Sequence, residues 1–76
     1  MLRLWQRKMF AFDLGKRVRK LRKARGWTQT YLSVHTGLGR PFISNIERGQ
    51  KEPCLRSLEI LAVAFELSLS QLMRGI

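Results

Sequence analysis

The chain has 76 residues, a single cysteine and a net charge of +10, from fifteen Lys/Arg against five Asp/Glu. That length allows one domain, which removes only about 60% of its unfolded surface from water, so association would help its core. The charge favours a polyanionic partner, while Cys54 alone excludes an internal disulfide and a multi-cysteine metal site and fits a reducing cytoplasm.

No apolar run approaches the ~18 residues of a membrane span, so no membrane partner is expected. The start, MLRLWQRKMF, interleaves charged and apolar residues and lacks the unbroken apolar segment of a secretory signal. We divide the chain into an N-terminal extension, residues 1–12, and a domain, residues 13–76. In the extension Leu2, Trp5, Met9 and Phe12 recur at three- and four-residue steps. They predict one stripe of an extra, basic amphipathic helix, with a frayed terminus as the alternative. Met9 is a second candidate start of the chain.

Asp13 is the expected N-cap of a helix from Leu14 to Arg25, stopped by Gly26, with Leu14, Val18 and Leu21 inward. Its Lys16, Arg17, Arg19, Lys20, Arg22, Lys23 and Arg25 read mainly as a solvated cationic face. Thr28 caps a second helix, Gln29 to Thr36. The free N–H groups of its first turn suit a phosphate, with Gln29 as a further donor. Gly37 supplies a left-handed turn, and Gly39 is a weaker cap for a third helix, Arg40 to Arg48, with Pro41 in its first turn.

At 100° per residue, Ile43, Ile46 and Glu47 share the inner side of that third helix. Pro41, Ser44, Asn45 and Arg48 lie opposite, with Arg40 and Phe42 flanking. Arg can span O6 and N7 of guanine, Asn can pair with adenine, and Phe can pack on a thymine methyl. Two short helices joined by a tight glycine turn, the second presenting such side chains, predict a helix-turn-helix that enters the DNA major groove. An ordinary polar surface is the competing reading of those residues taken alone. Glu47, an acid on an inner face, needs a partner, and Arg22 is the candidate. Gly49 ends the helix. Lys51 in the following loop, and Arg56 beyond it, can grip phosphates.

A fourth helix, about Leu55 to Phe65, should bury Leu58, Leu61, Ala62 and Phe65. Ile60 and Val63 form a surplus apolar strip, which the extension is expected to cover, within one chain or across a dimer. Ser68 with Gln71 makes a capping box for a last helix, Leu69 to about Arg74, with Leu72 inside and Met73 exposed.

Read in order, these segments resemble the phage-repressor/Cro-like (Xre) helix-turn-helix family. The resemblance is carried by Val18-Arg19-Lys20-Leu21-Arg22, Gly26-Trp27-Thr28-Gln29, Leu32-Ser33, Gly37-Leu38-Gly39-Arg40 and Ile43-Ser44-Asn45-Ile46-Glu47-Arg48-Gly49. Pro53, Leu58, Leu61-Ala62 and Leu67-Ser68-Leu69-Ser70-Gln71-Leu72 complete it. It implies an all-α, compact five-helix lambda-repressor-like domain that binds double-stranded operator DNA as a homodimer and regulates transcription. Arg40, Pro41, Phe42, Ser44 and Asn45 would read bases, and Thr28, Gln29, Arg48, Lys51 and Arg56 would hold phosphates. Arg22 and Glu47 would form a structural ion pair, and Leu69, Leu72 and Met73 a dimer interface, helped by the fourth helix. The run Arg40-Pro41-Phe42-Ile43-Ser44 further resembles restriction–modification controllers. The pattern departs from the family at Gly39, at Cys54 in place of a capping Ser or Thr, and at Glu66 where Gly often stands.

Other readings are an antitoxin or partner-binding module on the same fold, and a membrane-surface or nucleic-acid-condensing basic peptide. An enzyme is not expected. His35 is the only histidine, Cys54 has no neighbouring histidine in sequence, and the acids are dispersed, so neither cofactor nor metal is implied.

Overall fold

The computed structural model describes residues 4–76, and for residues 4, 5 and 7 the backbone alone. Its first helix, α1, runs without a break over Leu4–Ala24. Asp13 is therefore an exposed mid-helix residue and not a cap, and the division expected between residues 12 and 13 coincides with no interruption. The cause is local: no proline interrupts this stretch, and Ala11, Leu14, Val18 and Leu21 continue one buried stripe at three- and four-residue steps. The alternative stripe is not the inner one. Met9 and Phe12 are 56% and 54% exposed, whereas Phe10 packs against the core; Leu2 and the side chain of Trp5 lie outside the described residues.

Four short helices follow: α2, Gln29–Thr36; α3, Arg40–Glu47; α4, Leu55–Ala64; and α5, Leu69–Leu72. Among the described residues there is no strand, and no helix is long and apolar enough to cross a membrane. The expected caps recur in the structure. Thr28 Oγ1 accepts from the Tyr31 N–H, Gly37 is left-handed at φ 76°, and Ser68 and Gln71 complete a capping box. Gly39 caps α3 without a side-chain bond, as its lack of a hydroxyl dictates, and Pro41 sits in the first turn.

Leu14 and Val18 from α1, Leu32 from α2, Ile43 and Ile46 from α3, Leu61 and Phe65 from the α4 end, and Leu72 from α5 fill the centre. Two arginines, Arg17 on α1 and Arg25 just past its end, close helix ends that would otherwise expose carbonyls. Arg25 Nη2 donates to the Phe65 carbonyl at 2.8 Å, and Arg17 donates to the carbonyls of Leu72 and Gln71 at 3.2 and 3.0 Å. These two side chains are structural, which the reading of them as a solvated face did not foresee. Helix α1 packs chiefly on α3, and Gly15 is where they touch. A Cβ there would collide with the Ile46 carbonyl oxygen and lie 2.8 Å from that of Glu47.

Candidate nucleic-acid interface

Three side chains fix α3 to its scaffold. Arg22 donates from Nε and Nη2 to the two carboxylate oxygens of Glu47 at 2.7 and 2.9 Å, and from Nη1 to the Trp27 carbonyl at 2.7 Å. Gln29 Nε2 adds a bond to Glu47 Oε1 at 3.1 Å. Both charges are buried, so a bidentate pair with every group satisfied is the form in which they are tolerated. The hydrogen bonds it donates to Glu47 hold the Arg22 guanidinium pKa above its ordinary value against the opposing pull of desolvation. Among the described residues no buried side-chain nitrogen or oxygen is left without a partner. The expected Arg22–Glu47 pair is thus present, and it ties the ends of α1 and α3 to the start of α2.

The turn between α2 and α3 is braced by hydroxyls. Ser33 Oγ donates to the Leu38 carbonyl at 2.6 Å, while Thr36 Oγ1 donates to the Leu32 carbonyl and accepts from the Leu38 N–H. Sequence reasoning gave Ser33 and Thr36 no such role. The available signal was a Ser and a Thr immediately ahead of a Gly-Leu-Gly turn, where such side chains bond to backbone.

The outer side of α3 carries exposed Arg40, Pro41 and Arg48, with Ser44 and Asn45 partly exposed. Arg48 Nη2 donates to Asn45 Oδ1 at 2.7 Å, so the amide oxygen of Asn45 is engaged within the protein. Phe42 differs from expectation. It is partly buried and packs against the core, with Lys51 Nζ 5.9 Å from its ring centre, so its side chain serves the scaffold as well as the surface. The side chain of Gln29 is likewise turned inward to Glu47, which leaves its backbone N–H and that of the next residue as the donors at the start of α2. Thr28, Lys51 and Arg56 are exposed. Cys54, the exposed N-cap of α4, lies 3.5 Å from Ser57 Oγ, and that hydrogen bond pulls its thiol below the ordinary value.

The other expected surfaces fare differently. Leu72 is fully buried within a single chain and has no face to offer a partner, because the short α5 turns this leucine into the core. Leu69 and Met73 are partly buried against that core. Ile60 and Val63 line an open groove of about 610 Å³ with His35, Thr36, Arg56 and Glu59, and Val63 is 75% exposed. Residues 8–12 do not cover this strip within the chain. They lie instead beside residues 49–52, because the unbroken α1 carries them past the end of α3.

A helix-turn-helix family model (HTH_3) matches residues 18–72. The chain belongs to the helix-turn-helix family. It is 43% identical over 60 residues to the competence pilus inhibition repressor of Acinetobacter baylyi, covering 79% of this chain and 54% of that protein. To the immunity repressor protein of Bacillus phage phi105 it is 35% identical over 57 residues, 75% of this chain and 40% of that one. The chain thus spans about half the length of these relatives, or less. The crystal structure of the restriction-modification controller protein C.AhdI from Aeromonas hydrophila superposes with a TM-score of 0.78 at 34% identity. That match covers 82% of this chain and 94% of the controller.

Proposed function

We propose that this helix-turn-helix protein is a transcriptional regulator that binds a two-fold DNA operator as a homodimer, reading the major groove with α3. The observation that carries the reading is the contrast between the two sides of α3. Ile43, Ile46 and Glu47 are locked inward, while Arg40, Asn45 and Arg48 stand outward on a helix entered through a braced turn. Arg40 is assigned to a guanine edge. With its Oδ1 held by Arg48, Asn45 offers a donor to a purine N7 or a carbonyl oxygen; Ser44 and Pro41 complete the base-facing surface, and Phe42 meets a thymine methyl with its ring edge. The backbone N–H groups after Thr28, at Gln29, together with Arg48, Lys51 and Arg56, hold phosphates and set the register.

The named relatives, two repressors and a controller of restriction and modification, support regulation as the output. For the dimer, the open strip of Ile60 and Val63 joins Leu69 and Met73 and replaces Leu72 as the apolar contribution. An antitoxin or other partner-binding role is the second reading, and it draws on the same uncovered strip.

The test is a binding series on sites selected from random duplexes. Arg40→Ala should cost about 1–3 kcal/mol and relax preference at one base pair, whereas Lys51→Gln should weaken all sequences alike. Equal losses on every sequence for both variants would remove the assignment of roles.

A further inference from the structure

The first turns of α1 lie ahead of the family-matched residues 18–72, and the base-reading surface of α3 makes no use of them. Their placement is specific. Phe12 sits on the backbone of Gly49, close enough that a Cβ at Gly49 would lie 2.9 Å from the Phe12 Cα. Lys8, Ala11 and Phe12 on α1 then form one wall of an open groove of about 670 Å³, and Gly49, Gln50 and Lys51 form the other. Lys51 links this groove to the reading helix, since its ammonium stands over the ring of Phe42. On the α1 side Lys16 lies over the Phe12 ring, its nitrogen 5.2 Å from the centre. The groove therefore has an apolar surface, from Ala11 and half-exposed Phe12, between Lys8 and Lys51, while Lys16 itself borders the neighbouring groove of α1. Glu52 also lines it and already has a partner within the protein. Asp13 is the only acid in the chain ahead of Glu47, and it lines a different groove on the other side of α1.

We propose that this groove receives the sugar–phosphate backbone of DNA just outside the sequence read by α3, so that α1 lengthens the contacted site. A DNA strand edge matches both properties of the groove. Its phosphate oxygens meet Lys8 and Lys51, and its apolar deoxyribose edge meets Phe12 and Ala11. The inference rests on the operator-binding reading above and adds a contact that α3 does not make. It assigns Lys8 a role in affinity and footprint length, with no role in base choice.

The test compares the full chain with its Lys8→Gln and Lys8→Arg variants on two duplexes, one trimmed to the protected site and one extended beyond it. On the extended duplex Lys8→Gln should make the negative slope of log K against log salt shallower by ~0.9 per lost contact, about twice that for a bound dimer. On the trimmed duplex the three proteins should bind alike, and Lys8→Arg should retain the wild-type slope on both. Phosphate ethylation outside the site should interfere with wild-type binding and not with Lys8→Gln. Lys8 is exposed, so its variants should melt with the wild type. Identical slopes and interference patterns for wild type and Lys8→Gln would overturn the proposal. Wild-type protein that preferred no duplex would count against the reading of α3, and the groove would still be judged by the slope difference on shared DNA.

Discussion

The Glu47 carboxylate accepts bonds from Arg22 and Gln29 while buried under α2, and Arg22 reaches the backbone at Trp27 from the same cluster. Glu47→Ala leaves a guanidinium buried with no counter-charge, at a cost of about 3–5 kcal/mol, a large share of what so small a domain possesses. The variant should be mostly unfolded near room temperature by circular dichroism. The double variant Arg22→Met/Glu47→Leu, which removes both charges and keeps volume, should recover much of the loss; a double variant no more stable than Glu47→Ala would contradict this account. At this scale the pair was legible, since an acid within an apolar stripe must find a cation and Arg22 borders the facing stripe. The bonds of Arg17 and Arg25 were not, because their acceptors are backbone carbonyls 40 or more residues away, with no side-chain signature.

Where α4 hands over to α5, Glu66 occupies the left-handed region at φ 58°, among the described residues the only non-glycine residue to do so. Its Cβ crowds the following carbonyl at a cost of roughly 1–2 kcal/mol, while glycine there would add about 0.5–1 kcal/mol of chain entropy to be lost on folding. The balance favours Glu66→Gly by up to about 1.5 kcal/mol, a rise in melting temperature of several degrees by calorimetry. A lowered melting temperature would mean that the Glu66 side chain contributes more than its backbone strain removes. Helix ends marked by Gly, Thr or Ser were readable in advance, because capping is local chemistry. The start of α1 was not. Asp13 looks like a cap only if the preceding chain is not helical, and two stripes at helical spacing, Met9 with Phe12 and Ala11 with Leu14, competed for the inner side. What decided between them was the surface of α3, supplied by residues far along the chain.

At the scale of the molecule, Val63 stands 75% exposed beside Ile60, and the proposed dimer would close that strip. Arg56 and Glu66 flank that strip at its two ends, so a two-fold antiparallel pairing of α4 would set each arginine near the partner's acid. Val63→Glu should therefore raise the dimer dissociation constant at least tenfold by sedimentation equilibrium, while leaving the fold by circular dichroism intact. An unchanged constant would move the interface elsewhere. The five-helix arrangement was legible in the apolar periodicity, and the outward face of α3 in its 100° steps. The geometry of the groove between α1 and the loop after α3 was not, since it depends on a bare Cα. At Gly15 there is no side chain to act as a cushion between α1 and α3. With backbone resting on backbone, neither helix can rock against the other without opening a gap, so on the proposed reading α3 would meet a duplex already aimed, with little internal motion left to be quenched on docking.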